Sequence, residues 1–128
     1  MIFGIILIVV GVLGFVPGLT TDRHLLGIFH VNPLHNLLHI ASGVVAVWAS
    51  RSARYAKTYF QVFGIIYALL AVLGAIYGYG YIFGIIANNT ADIWLHLVIS
   101  ATSLYLGFAV RIAEEPMPRS RPMTPRPS

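Results

Sequence analysis

The sequence predicts an all-α integral membrane bundle of four transmembrane helices, with two parallel two-helix repeats as its candidate internal symmetry. Three observations carry that expectation. First, 58% of the 128 residues are hydrophobic and only 9% are charged, with a mean hydropathy of +0.81. A water-soluble domain carries about 25% charged residues, so most of this surface is expected to face lipid. Second, four apolar stretches approach the ~20 residues that a bilayer core requires: Ile2 to Leu19, Pro33 to Ser50, Thr58 to Tyr77 and Asp92 to Arg111. Third, the basic residues fall on alternate connections.

The first stretch has no basic segment before it and no small-residue cleavage pattern after it, so it reads as a retained helix rather than a signal peptide. Its glycines Gly4, Gly11, Gly14 and Gly18 form a small-residue stripe, which Pro17 disturbs in the last turn. The second stretch opens on Asn32-Pro33, an N-cap followed by proline at the first helical position. Along it His39, Gly43, Ala46 and Ser50 share a face. The third offers Gly64, Ala68, Ala71, Ala75 and Gly78, and the fourth repeats the second's spacing with His96, Ser100, Ser103 and Gly107. Asn89 or Thr90 is placed to cap the fourth helix. Gly78-Tyr79-Gly80-Tyr81 reads as an interfacial turn, and Trp48 and Trp94 as aromatic-belt residues.

Arg51, Arg54 and Lys57 lie between the second and third stretches, and Arg111, Arg119, Arg121 and Arg126 follow the fourth; Arg23 stands alone in the other set of connections. Basic residues concentrate on the cytoplasmic side. A multi-pass plasma-membrane protein with both termini cytoplasmic is therefore expected. The formal charge of +4 is a topology signal, and no nucleic-acid partner is expected. Residues 1–112 form the expected transmembrane domain. The remainder, 113–128, is rich in proline and arginine and is expected to be a disordered cytoplasmic tail. There is no cysteine, which excludes disulfides and thiolate chemistry.

A shift of 57 residues aligns the two halves without a gap. Leu26-Gly27-Ile28 falls on Phe83-Gly84-Ile85, and Asn32, His35, Leu38 and His39 fall on Asn89, Asp92, Leu95 and His96. The same shift sets Gly11, Gly14 and Gly18 on Ala68, Ala71 and Ala75. Two helices per unit return the chain to one side, so such repeats are parallel and related by an axis along the membrane normal.

Five histidines in so uncharged a chain need an explanation, because polar groups inside a membrane are costly and turn toward the interior. His35 pairs with His39, and Asp92 with His96, at a spacing that shares a helix face. These four are the candidate metal ligands, since three imidazoles and a carboxylate suit tetrahedral zinc or copper. Haem held by two histidines across the bundle and a proton or solute pathway stay open beside it. So does simple interhelical hydrogen bonding. His30, Asn32 and Asn36 are supporting residues; His24 and His30 are expected to be exposed loop residues, and Asn36 to reach toward headgroups.

The segment Gly27-Ile-Phe-His-Val-Asn-Pro-Leu-His-Asn-Leu-Leu-His-Ile-Ala-Ser-Gly43 and the stretch Ala91-Asp-Ile-Trp-Leu-His-Leu97 resemble the two motifs of a bacterial membrane-protein family of unknown function, DUF4383. The resemblance covers about residues 4 to 110 and implies four membrane helices, but it supplies no activity. The chain has no Walker loop, no His-Glu-x-x-His and no Gly-x-Ser-x-Gly. The leading expectation is a non-catalytic structural or accessory component of the membrane, with lipid, a second copy or a larger membrane complex as partner. A metal- or haem-binding protein and a small transporter are the alternatives.

Overall fold

The structure is a computed structural model, and it describes residues 1–111. The expected tail, 113–128, lies outside the described residues. The protein is mostly helical, with four helices: α1 (Ile2–Leu13), α2 (Pro33–Ala49), α3 (Ala53–Tyr77) and α4 (Thr90–Leu104). A single π-helical turn, Tyr105–Ala109, continues α4. Two helical segments, Ala53–Tyr77 and Thr90–Ala109, are long and apolar enough to cross a membrane. Each helix pair is joined by a small antiparallel sheet: β1 (Thr20–Thr21), β2 (His24–Leu25) and β3 (Phe29–His30) in the first, β4 (Gly80–Ile82) and β5 (Ile86–Asn88) in the second.

The helix limits depart from the hydropathy reading where local chemistry intervenes. α1 stops at Leu13 rather than Leu19, because Pro17 has no N–H to continue the ladder. The chain goes on in short turns, with the Val16 N–H bonded to Leu13 C=O and Thr20 Oγ1 donating to the same carbonyl. α3 starts at Ala53 instead of Thr58. Arg54 and Lys57 occupy its first turns, which apolarity alone left out.

Both sheets turn on an apolar residue followed by glycine. Leu26 and Gly27 have φ of +54° and +71°, and Phe83 and Gly84 have φ of +52° and +75°. Each turn is closed by one bond, Ile28 N–H to Leu25 C=O and Ile85 N–H to Ile82 C=O. Positive φ at both central positions is the type I′ hairpin turn, which matches strand twist. Leu25 and Ile82, which precede the turns, are both buried. The sequence reading left these connections without strands: the tips of the β2–β3 and β4–β5 turns carry none of the usual polar turn signals, and the β1–β2 turn, Asp22-Arg23 with φ of +49° and +63°, joins strands of only two residues.

α1 runs antiparallel to α2, and α3 to α4, each pair in contact along its length. Glycine permits the approach. A Cβ added at Gly4 would lie 2.6 Å from the Gly43 carbonyl oxygen, and one at Gly43 would lie 2.5 Å from that of Gly4. In the second pair a Cβ at Gly64 would meet Leu104, and one at Gly107 would meet the Gln61 amide at 2.7 Å. The Ser100 hydroxyl donates to the Gly64 carbonyl at 2.9 Å. The small-residue face of α4 lies inward as expected; that of α2 ends on buried Ala49, with Ser50 exposed.

The buried positions of α1 are Gly4, Leu7 and Gly11, followed by Gly14; those of α3 include Gly64, Tyr67, Ala71 and Gly74. The spacing is the same, so the counterpart of Gly11 is Ala71 rather than Ala68, and that of Gly14 is Gly74 rather than Ala71. A gapless shift therefore holds from the turns into the second helix of each unit but not for the first helix. The first connection carries an extra strand, and its added length displaces the register. Ala75 is accordingly exposed and Tyr67 takes a place in the core. There it packs with Leu7 and Ile99, joining α1, α3 and α4.

Two outcomes follow from this packing. Gly43→Val should destabilise the protein by ~1–3 kcal/mol, the usual cost of overpacking. Gly18→Ala should be neutral, because a Cβ there meets nothing within 4 Å. Thermal unfolding in detergent reads both; equal melting temperatures for the two variants would refute the close-approach account.

Candidate three-histidine site

The two units are locked at the sheet end by a reciprocal pair of bonds. Asn32 Nδ2 donates to Ile85 C=O and Asn89 Nδ2 donates to Ile28 C=O, each at 2.7 Å. The oxygen of each amide caps a helix: Asn32 Oδ1 accepts from His35 N–H at 2.9 Å, and Asn89 Oδ1 from Asp92 N–H at 3.0 Å. Each asparagine thus ends one unit's hairpin, starts its second helix and ties it to the other unit's turn. These bonds fix where the opening turns of α2 and α4 sit, and with them the histidines.

His35, His39 and His96 are all buried, and one ring nitrogen from each lies within 4.8 Å of the others. His35 Nδ1 is 2.8 Å from the Ala87 carbonyl oxygen. A carbonyl only accepts, so Nδ1 carries the proton and, in the neutral ring, Nε2 keeps its lone pair. That Nε2 lies 3.0 Å from His39 Nε2. The His35 and His39 rings are stacked with centroids 4.9 Å apart, and His96 stands 5.8 Å from the first and 6.1 Å from the second. His39 Nδ1 and His96 Nδ1 are buried without a hydrogen-bond partner among the described residues. Tyr67 closes the group, its ring 5.5 Å from His96 and 6.1 Å from His39.

Asp92, expected beside the histidines as a fourth candidate ligand, sits one helical turn before His96 but is not gathered with the three imidazoles. Its Oδ2 accepts from the backbone N–H of Asn89 at 2.9 Å and of His30 at 3.1 Å. It completes the capping box of α4 and anchors β3 to it. The carboxylate is fully buried, and its Oδ1 has no hydrogen-bond partner among the described residues. His30 was expected in an exposed loop and is instead buried, because β3 lies against the start of α4. Its Nδ1 donates to Asn88 C=O at 3.3 Å. Its ring stacks with those of His24 and the exposed Tyr79, which also stack with each other at 6.4 Å. His24 is half-buried at the rim. Asn36 does not reach outward either; it is buried with its side chain on Gly14.

Two residues of the site escaped the sequence reading. Asn88, wholly buried, donates from Nδ2 to the carbonyls of Gly74 and Gly78 and so closes the end of α3. The side chain rests on Gly74, as that of Asn36 rests on Gly14. Tyr67 is the other, and its only signal was a buried-face spacing from Gly64 and Ala71.

A cavity of about 270 Å³ opens beside the histidines, between α2 and α3. His35, His39, His96 and Tyr67 lie at one end of it, and Leu38, Val45 and Ile66 at its mouth are exposed.

The straps make a prediction of their own. Asn32→Ala and Asn89→Ala should each lower stability by at least the ~0.5–2 kcal/mol typical of a lost N-cap, since each also frees a carbonyl of the opposite unit. Chemical or thermal unfolding measures this, and unchanged stability in either variant would remove that asparagine from the account.

No curated protein and no solved structure matches the chain. A family model described as Domain of unknown function (DUF4383) matches residues 1–109. With its hairpin-capped second helix and its histidine-bearing fourth both inside that match, the chain belongs to the DUF4383 family.

Proposed function

We propose that this is a four-span integral membrane protein whose His35, His39 and His96 hold a divalent transition-metal ion. The observation that carries the metal reading is the convergence of three buried imidazoles, one already oriented by a carbonyl on its far nitrogen. Metal-bound histidine almost always donates its other N–H to such a partner. Around tetrahedral zinc, with Zn–N of ~2.0–2.1 Å, neighbouring ligand nitrogens stand ~3.3 Å apart. The 3.0 Å between the His35 and His39 nitrogens lies close to that figure. Three protein ligands with a fourth position open are the pattern of reactive rather than purely structural zinc sites. Imidazole also suits copper and nickel. A bare ion is favoured over haem, because the three rings gather closely, whereas bis-histidine haem needs rings on opposite faces of a macrocycle. On this reading Asp92 is a positioning residue that holds the start of α4.

The membrane reading rests on the exposed surface. All four helices present large apolar side chains outward, from Ile2, Ile6 and Val9 on α1 to Trp94, Val98 and Phe108 on the α4 segment. Only 28% and 33% of the two long apolar windows are buried, whereas a water-soluble core helix is mostly buried. The tips of the β2–β3 and β4–β5 turns are apolar too, with Leu26 57% and Phe83 61% exposed, while the β1–β2 tip, Asp22-Arg23, is charged. α1 spans only about 18 Å as a helix, short of a ~30 Å hydrocarbon core. Basic Arg51, Arg54 and Lys57 support the reading in which the α2–α3 turn faces the cytoplasmic side of the plasma membrane, with both termini on that side.

A second reading keeps the histidines as interhelical ties in a structural or accessory protein. It is favoured by the same 3.0 Å contact, which a neutral pair makes as an ordinary hydrogen bond from His39 to His35. Metal analysis separates the two. Protein purified in mild detergent should carry one zinc, copper or nickel per chain, or take up cobalt(II) with the intense visible bands of a tetrahedral site. His35→Ala, His39→Ala and His96→Ala should each lose the ion while remaining helical. His24→Ala and Asp92→Asn should retain it. Protein that binds none of these metals, or single variants that still bind, would leave the hydrogen-bonded reading.

A further inference from the structure

The helix pairs are zipped by glycine, but α2 and α3 are not. They are joined by the short turn through Arg51 and Ser52 and held by Tyr59 O–H donating to Ser42 C=O at 3.1 Å. Beyond that bond, toward the sheets, the two helices diverge around the 270 Å³ cavity. Its walls are Leu38, Val45, Phe63, Ile66 and Leu70, and its mouth lies on the flank of the bundle rather than at either end. Leu38, Val45 and Ile66 are 40%, 41% and 41% exposed, in the band that faces hydrocarbon on the four-span reading. The far end is the three-histidine group. An ion held there by three imidazoles needs a fourth ligand. The neighbouring space is apolar, and it opens to lipid rather than to water.

From this we infer that the cavity takes a lipid-soluble molecule, with a hydrocarbon body and one terminal oxygen, entering sideways from the bilayer. The body lies between α2 and α3, and the alcohol or carbonyl oxygen occupies the metal's fourth position. The inference rests on the metal reading for its oxygen contact, but the cavity's occupancy stands on its own geometry. Ligand pockets are typically apolar clefts of this order of size with a few convergent polar groups. No covalent step is implied.

The test uses the full chain in lipid nanodiscs and a long-chain alcohol bearing a photoreactive diazirine on its alkyl chain. Mass spectrometry should find labelling at Tyr67 and Leu70 that saturates and is displaced by 1-decanol. Labelling of outward Leu69 and Val72 should rise without saturation. Ala41→Trp fills the mouth from an exposed position and should weaken the saturable labelling at least about tenfold, with Val45→Trp as the second variant. In cobalt(II)-loaded protein, 1-decanol should shift the visible bands, and the shift should be lost in Ala41→Trp while the cobalt stays bound. Non-saturable labelling at Tyr67 and Leu70, meaning ordinary lipid contact only, would overturn the cavity. Saturable labelling with an unshifted cobalt spectrum would overturn the oxygen contact. Failure to bind cobalt at all would remove the metal reading and the oxygen contact with it, while the labelling still decides the cavity.

Discussion

Every backbone N–H and C=O taken out of water must find a partner, and in this protein the hardest place to meet that demand is the sheet end of the bundle. There the chain leaves α1 and α3, turns, and enters α2 and α4. Helix ends, hairpin turns and strand edges crowd into one layer. The reciprocal amide straps answer the demand. Asn32 and Asn89 each cap the helix that follows them and bond a carbonyl of the opposite hairpin turn. Asn88 closes the end of α3, and the Asp92 carboxylate takes two further backbone amides. Loosen this layer and the opening turns of α2 and α4 lose their mutual register.

The histidine group is a consequence of that register. His35 and His39 ride on the first two turns of α2, and His96 stands in the second turn of α4, so the straps that fix the starts of both helices bear on their distance. The Ala87 carbonyl that orients His35 belongs to β5, in the opposite unit. The approximate twofold relation puts His35 where the other unit has Asp92, and the two have diverged in duty. The carboxylate serves the backbone of the cap. The imidazole turns into the bundle, where a second and a third ring meet it. Equivalent positions in the two units thus carry a carboxylate held in a cap in one and an imidazole turned inward in the other.

Much of this was legible beforehand. The Asn-Pro start of α2, the cap of α4, the inward faces of both and the pairing of Leu26-Gly27 with Phe83-Gly84 all follow from local chemistry, which a single chain carries in full. The three histidines were singled out together because their rarity in an apolar chain is itself a signal. The ends of α1 and α3 were less legible, since hydropathy measures what lipid tolerates and not where hydrogen bonding stops. The strands escaped because they are only two or three residues long and two of their three turns carry leucine and phenylalanine where asparagine is the usual signal. His30 and Asn36 were placed outside, since nothing in their neighbours says that β3 packs on α4 or that Gly14 leaves room for an amide.

What the sequence by itself determined is the set of helices, the caps that start two of them, the small-residue stripes and the identity of the imidazoles. These depend on residues within a few turns of one another. Only the tertiary structure decided that Asp92 serves a cap while His35 joins His39 and His96, and that Gly14 corresponds to Gly74. It alone brought Tyr67 to the site and left α2 and α3 parted around a cavity. Those outcomes depend on contacts between residues far apart in the chain. The length of the first connection sets how the two units slide against each other, and no local pattern encodes that displacement.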